Sequence, residues 1–369
     1  MRLGLLEMVR APGRFAPVLA AISLLVGLVL AFSGIGTSHV DDLNGAVARS
    51  SADVLVLAAG AEGALQASRV DGADVEVVAA LPEIAEAAPI GEARVGGRVD
   101  GDLYDVSLWG AGPGGPGAPE VIKGRPPEAL GEAVIDIADA HLGLGIGATL
   151  EVADTDDRLT IVGLTEDRRF ASIPTVVVTY EQWEAILNAI FADSDGVEPA
   201  MIAVTATDGV TPERAAAAID ALDAALAADV PPSLAAGLPG VAGVRASFAA
   251  ATLVALIAVS AVTGLFFLLS VAHRRRAYEV LRAVGASRGV LVRALATQAV
   301  ALVVLASLLG GGLVAVAAAV APPRVPLSVS FPLLAIVTIA ALMVTLTSAL
   351  GSVRGLRKLD PAAALARRP

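Results

Sequence analysis

The sequence predicts an α+β membrane protein: four spanning helices, with a large mixed α/β extracytoplasmic domain between the first and the second. Three observations carry this. Four long runs lack Asp, Glu, Lys, Arg and His: 15–38, 246–272, 294–323 and 325–353. Basic residues crowd into the short segments beside those runs. The one long segment, 39–245, is acidic and alternates strand-like with helix-like pieces. With 56% hydrophobic and 17% charged residues, the 369-residue chain is too apolar for an ordinary soluble enzyme.

A hydrocarbon core of about 30 Å takes roughly 20 apolar residues in a helix. Only a helix can satisfy its own main chain there. The runs therefore predict helices near Pro17–Ile35, Phe248–Ala272, Leu295–Val320 and Phe331–Leu350. Pro322 and Pro323 end the third, and Pro326 and Pro332 shape the connection to the fourth. The corresponding segments are 1–14, a cytoplasmic start; 15–38, the first span; 39–245, the external domain; 246–272, the second span; 273–293, a cytoplasmic loop; 294–321, the third span; 322–330, a short external loop; 331–353, the fourth span; and 354–369, a cytoplasmic tail. Arg2, Arg10 and Arg14 before an apolar run also resemble the start of a signal peptide, but a 24-residue uncharged span exceeds the roughly 7–15 residues of such a core. A retained anchor is the expectation.

Charge sets the orientation. Segments 1–14, 273–293 and 354–369 hold 14 basic residues against three acids, and the loop between the third and fourth runs holds only Arg324. Both termini and the 273–293 loop are thus expected in the cytoplasm, with the chain a multi-pass protein of the cell membrane. Segment 39–245 has 11 basic and 34 acidic residues, a net of -23, so the overall -11 belongs to the external domain. Such acidity is chiefly a matter of solubility.

Within that domain, Ala52–Leu57, Glu132–Ile137, Arg158–Leu164, Thr175–Tyr180 and Met201–Thr207 read as strands. Pro82–Ala88 reads as a short helix. Trp183, Ile186, Leu187 and Ile190 lie at helical spacing in Tyr180–Ile190. Thr211 and Pro212 open another helix, with Ile219, Leu222 and Leu226 expected on its buried face. GAGPGGPGAPE (110–120) predicts a flexible loop, and PPSLAAGLPG (231–240) a linker before the second span.

Chemistry-bearing patterns are sparse. No cysteine is present, which excludes disulfides, thiolate metal sites and a cysteine nucleophile. His39, His141 and His273 have no ligand spacing. Asp154, Asp156 and Asp157 lack the glycine and distal glutamate of a calcium loop. The expectation is no catalytic site, no cofactor or metal held by this chain, and no nucleic-acid partner.

The densest basic cluster is HRRRAYEVLRAVGASRG (273–289). Arg274, Arg275 and Arg276 sit where headgroups begin, and an interfacial lipid anchor would account for them. Beyond them Tyr278, Leu281 and Val284 make an apolar stripe, Arg282 points elsewhere, Gly285 can end a helix and Ser287 can cap the next. Such a short amphipathic helix can dock on a membrane or in a partner's groove, and periodicity does not choose between them.

RRRAYEVLRAVGASRGVLVRALATQAVALVVLASLLGGGL resembles the signature of FtsX-like permeases, the MacB-type membrane subunits of ABC transporters. The V-L-R-A-x-G-A-S core is Val280–Ser287, and Gly310, Gly311 and Gly312 supply the membrane-helix glycines. LRKLDPAAAL (356–365), KGRPPEALGEAVIDIADAHLGLGIGATLEV with LTIVGLTE, and IPTVVVTYEQWEAIL are similar to other parts of the family. One departure is that Ala277 stands where many relatives carry an acid, with Glu279 two positions on.

The resemblance implies that 273–293 is a coupling helix seated on a separate cytoplasmic ABC ATPase, through Arg275, Arg276, Tyr278, Glu279, Leu281, Arg282, Val284 and Gly285. This chain has no G-x-x-x-x-G-K-[ST], so ATP and Mg are expected on that partner. A second permease chain is implied, with Ser307, Gly310, Gly311 and Gly312 as close-packing positions. The implied function is transmission of ATP-driven motion to the external domain, for export of a lipid, peptide or drug-like cargo. The alternative is an FtsX-like regulator that relays ATPase state to an extracytoplasmic partner protein without transport. A membrane-anchored enzyme or a ligand-binding sensor stands further off.

Overall fold

The computed structural model describes residues 12–192, 196–273, 288–320 and 331–355. The chain divides into two compact units, residues 1–38 with 246–369, and residues 39–245.

The long helices of the first unit are α1 (Pro12–Ala48) and α6 (Val241–His273), whose ends at 39–48 and 241–245 belong to the second unit, with α7 (Arg288–Val320) and α8 (Phe331–Gly355). Among the described residues, three helical stretches are long and apolar enough to cross a membrane: Phe15–Ala48, Val241–Phe266 and Ala296–Val320. In α8 the apolar stretch among the described residues is shorter, Leu334–Val344. Ile22, Val26, Val29 and Leu30 of α1 pack with Ala255 and Val259 of α6, Leu302, Val303 and Ala306 of α7, and Val337 and Ala341 of α8. Leu24, Leu253, Leu308 and Ile336 face outward. Apolar residues on both the packed and the open faces are what a helix in lipid presents.

The second unit is built on ten strands: β1 (Val54–Ala58), β2 (Ile84–Val99), β3 (Asp102–Ala111), β4 (Lys123–Gly124), β5 (Glu132–Asp136), β6 (Thr149–Val152), β7 (Arg158–Thr165), β8 (Thr175–Thr179), β9 (Met201–Ala206) and β10 (Leu226–Asp229). Their order is β10-β1-β9-β2-β3-β8-β5-β7-β4, with β6 bridging β2 and β7. The long β2 serves two halves. Its start, Ile84–Ile90, pairs with β9, and its end, Gly91–Val99, pairs with β3.

On the first half lie α2 (Gly72–Ala79) and α4 (Pro212–Leu222). The elements β1-α2-β2 and β9-α4-β10, in spatial order β10-β1-β9-β2, form a split β-α-β arrangement. Val54, Val56, Ile202, Val204, Val78, Ala215 and Ile219 form its core. The second half closes on itself: β2, β3, β8, β5, β7 and β6 pair in a ring back to β2. Val106, Leu108, Ile135, Leu150, Leu159, Ile161, Val176 and Val178 fill that small barrel. Helix α3 (Tyr180–Ile190) buries Trp183, Ile186 and Leu187 against them. Each fully buried side chain of this kind contributes about 1.5–3 kcal/mol.

Several expectations change. Pro82–Ala88 is not helical: from Ile84 it is the start of β2, and its alternating small residues pair with β9. Leu226 is not on the face of α4; that helix ends at Leu222, which is 40% exposed, and Leu226 begins β10. The stretch 231–240 is not a bare linker. It forms α5 (Pro231–Gly237), whose Ala235 joins the core with Leu238 and Val241. The loop 112–121 folds back, with the Ser51 hydroxyl donating to the Ala118 carbonyl at 2.9 Å. Finally, α1 continues ten residues past the uncharged run, to Ala48. Val40, Ala46 and Val47 lie in the same core as Leu55, Leu57, Trp109, Phe170, Met201 and Ala235.

Candidate functional site

The residues named for ATPase coupling, Arg275, Arg276, Tyr278, Glu279, Leu281, Arg282, Val284 and Gly285, lie outside the described residues. So do the 322–330 loop and most of the tail. The close-packing residues on α7 are described. A Cβ on Gly310 would stand 2.6 Å from the Ser23 carbonyl oxygen and 3.0 Å from the Gly27 nitrogen, so α1 and α7 touch backbone to backbone there. Gly311 faces Leu334 of α8, where a Cβ would meet Cδ1 at 3.2 Å. Ser307 is buried. Gly312 has nothing within 4 Å of an added Cβ. Near the other end of the unit, the Ser33 and Thr252 hydroxyls share a hydrogen bond of 3.2 Å between α1 and α6.

A buried polar constellation has no counterpart among the sequence motifs. It lies in the second unit, where the loop between β7 and β8 (166–174) clasps the end of α1. The Ala46 N–H donates to the Arg169 carbonyl at 3.0 Å. In an undisturbed helix that N–H would serve the Asp42 carbonyl. The Asp42 carbonyl accepts from the Ser172 N–H at 2.8 Å, and the Leu43 carbonyl from the Ala171 N–H at 3.0 Å. Loop and helix therefore exchange main-chain hydrogen bonds. Gly45 makes the approach feasible, since a Cβ there would lie 2.3 Å from the Asp167 carbonyl oxygen. To reach this pose the loop holds Asp167, Ala171 and Ser172 at φ of 55°, 54° and 59°. For non-glycine residues that costs about 1–2 kcal/mol each.

Charge reinforces the clasp. The Arg169 guanidinium lies 3.2 Å from Asp42 on α1 and 3.3 Å from Asp139 in the 3-10 turn Ile137–Leu142 that follows β5. Its Nε faces Asp139 without hydrogen-bond geometry, and Asp139 Oδ2 has no hydrogen-bond partner. Arg49, at the end of the helix, reaches the Asp167 carboxylate at 3.1 Å and its carbonyl at 2.8 Å. The buried Asp136 carboxylate accepts from the Arg168 N–H at 2.7 Å and the Ala138 N–H at 2.9 Å. Phe170 meets Trp109 of β3 edge-on, ring centroids 5.4 Å apart. Asp139 is 1% exposed. Burial pushes its carboxyl up to about 6, although Arg169 pulls the other way. Burial likewise raises Asp136, and lowers Arg168 to about 10, still cationic at neutral pH.

The arrangement holds a helix against a sheet through charges. It lacks a nucleophile–base pair. Among the described residues no group of three His, Cys, Asp or Glu is placed to hold a metal. His141 is exposed, with Nδ1 2.6 Å from the Ala138 carbonyl, and Asp157 accepts from the Gln182 amide at 3.0 Å.

Comparison with known proteins bears on both units. Residues 248–361 match the FtsX-like permease C-terminal family, and residues 18–222 the MacB-like periplasmic core domain. The chain is 30% identical over 357 residues to an uncharacterized ABC transporter permease of Mycobacterium tuberculosis, covering 94% of this chain and 92% of that one. It is 26% identical to a second such permease of the same species, covering 95% of each. Among solved structures it is similar to the periplasmic region of MacB from Actinobacillus actinomycetemcomitans, at 12% identity and a TM-score of 0.38, covering 49% of this chain and 89% of that one.

Proposed function

Because the chain belongs to the FtsX-like, MacB-type ABC transporter permeases, whose membership implies an ATPase partner, we propose that it couples ATP hydrolysis by a separate cytoplasmic ATPase to motion of residues 39–245 outside the membrane. The single observation that carries this reading is α1. One unbroken helix, Pro12–Ala48, begins in the apolar run and ends inside the core of the α/β unit. A displacement along that helix enters the domain without crossing a loop.

The working layout is four spans with both termini and 273–293 in the cytoplasm, and two permease chains beside two ATPase subunits. ATP and Mg belong to the ATPase and supply the energy by closing its paired subunits. Tyr278, Leu281 and Val284 seat the coupling helix, with Arg275, Arg276, Glu279 and Arg282 around them and Gly285 ending it. The four apolar runs hold no formal charge, which suits a mechanical relay better than a polar conduit. A lipid, peptide or drug-like cargo handled on the outer side fits that chemistry.

The test is co-purification with the ATPase encoded beside this chain, wild type against Leu281→Ala with Arg282→Glu. Retention by the wild type alone supports the reading. If neither retains a competent ATPase, 273–289 is a lipid anchor and the coupling reading falls. If both retain it and drive activity equally, coupling runs through other residues.

A further inference from the structure

We propose that residues 112–121 are a strap over a ligand site, and that the ligand is an amphiphile with one anionic head. The head meets Arg168 and Ser51, and the apolar part lies on Ile90 and Ala203. As a cargo site this rests on the permease reading above; as a binding site it stands on the external unit alone. The strap is loosely tied. Among the described residues, its hydrogen bonds to the rest of the protein converge on one atom, the Ala118 carbonyl oxygen. Pro113, Pro116 and Pro119 bring no N–H that could add others. Gly117, at φ 77°, lies on the sheet, where a Cβ would stand 2.9 Å from Ile90 and 3.0 Å from Ala203. Ile90 and Ala203 belong to the same apolar core as Leu57, Trp109 and Met201. A glycine, rather than an apolar side chain, covers this spot.

Arg168 lies beside that spot and lacks an anion. It is 6% exposed, its Nε has no hydrogen-bond partner, and Nη1 reaches only the Ala118 carbonyl, at 3.4 Å. Among the described residues it makes no ion pair. The nearby Asp136 carboxylate is occupied by the Arg168 and Ala138 main-chain N–H groups. Glu120, the other acid whose charge reaches Arg168, is exposed and rides on the strap. A buried cation in this state gains most from an anion brought to it. The Ser51 hydroxyl donates to the same Ala118 oxygen, at 2.9 Å. Two donors from separate segments thus meet on one carbonyl oxygen, where an oxygen of an acid head would sit. Lifting the strap removes the Ala118 carbonyl and Glu120 together. It frees the guanidinium fork for a carboxylate or phosphate, and uncovers Ile90 and Ala203 beneath the adjoining Gly117. The net charge of -23 over 39–245 repels small free anions, so the apolar part has to supply much of the affinity.

The experiment uses the full chain in phosphatidylcholine nanodiscs and diazirine-bearing probes of equal chain length: a fatty acid, a lysophosphatidic acid and a fatty alcohol. Cross-links are mapped by mass spectrometry. An acidic probe should label the wild type within 86–90, 112–121 or 200–206, and the alcohol about tenfold less. Labelling by the fatty acid alone assigns a carboxylate head, by the lysophosphatidic acid alone a phosphate head, and by both a site that accepts either. Arg168→Gln should cut acidic-probe labelling about tenfold and leave the alcohol's unchanged. A merely structural Arg168 would move all probes together. Ser51→Ala, at an exposed position, should cut it about threefold and serves if Arg168→Gln does not fold. Gly117→Ala cannot seat at its φ, so the strap stays off the sheet and acidic-probe labelling should rise roughly threefold. Equal labelling by acids and alcohol overturns the inference, as does undiminished labelling in Arg168→Gln, or in Ser51→Ala where that variant stands in. So does an absence of cross-links at these segments in both the wild type and Gly117→Ala. Cross-linking there by a photoreactive peptide with a free C-terminal carboxylate, when neither acidic lipid reacts, makes it a peptide site and overturns the amphiphile. No ATPase is present, so failure of the coupling reading leaves this result standing, and failure here leaves coupling untouched.

Discussion

Asp139 is a carboxylate kept where a carboxylate is costly. Its pKa rises from 3.8 to about 6 because burial outweighs the pull of Arg169. At 1.36 kcal/mol per unit, its ionised form carries a penalty on the order of 3 kcal/mol at neutral pH. The native pKa lies above the unfolded one, so the native state binds the extra proton between about 4 and 6. Stability therefore rises as pH falls through that window and is level above it. Asp139→Asn should remove this component: the wild-type-minus-variant stability, from denaturant titrations, should climb between pH 7 and 4.5, and a flat difference would refute the assignment. Gly45 poses the converse case. A helical glycine costs up to about 1 kcal/mol relative to alanine, so propensity alone predicts that Gly45→Ala, in the last turn, stabilises α1. The 2.3 Å approach to the Asp167 carbonyl predicts the opposite, a loss of about 1–3 kcal/mol in thermal unfolding. Neither residue announced itself in the sequence. Asp139 stands beside His141 in a stretch with no ligand spacing, and Arg169 lies on a different loop from both its partners. A constellation assembled from α1, the turn after β5 and the β7–β8 loop has no local spacing to read.

At the scale of elements, legibility followed periodicity. Tyr180–Ile190 and the strands 132–136, 158–165, 175–179 and 201–206 appear close to where alternation or helical spacing placed them. The misses have local causes. Pro82 and the small residues after it read as helix, yet β9 supplies a partner along Ile84–Ile90. Asp223 ends α4, so Leu226 turns its side chain into the neighbouring sheet core from β10. PPSLAAGLPG looked like a linker because proline and glycine bracket its apolar residues, but Pro231 also suits the first turn of a helix. In the membrane helices, the three consecutive glycines of α7 looked equivalent and are not. Gly310→Leu would force α1 and α7 apart, with an expected loss on the order of 1–3 kcal/mol. Gly312→Leu meets open space and should leave the fold's melting point unchanged. Heating both variants in detergent and following the folded fraction by size-exclusion chromatography checks the contrast. Equal losses would mean that this helix packing is wrong.

For the whole molecule, the sequence spoke through charge rather than motif. Fourteen basic residues in three short segments and a net of -23 in 39–245 predict one sidedness. The α/β architecture of 39–245 follows from its own cores and does not depend on which side it occupies. Sidedness therefore needs its own test, and a chain without cysteine is well suited to it. Single cysteines at Val77, exposed on α2, at Ala286 in the basic loop, and at Ala364 in the tail should divide cleanly. In intact protoplasts a membrane-impermeant maleimide should label Val77→Cys alone, and all three after permeabilisation. Labelling of Ala286→Cys in intact protoplasts would place the basic loop outside. It would remove the ATPase from reach of Tyr278–Gly285 and, with it, the source of any pull on α1. If only Val77→Cys is labelled, the basic loop and 39–245 lie on opposite sides, and the proposed relay has to run outward through the apolar helices, of which α1 carries the Asp42 that pairs with Arg169.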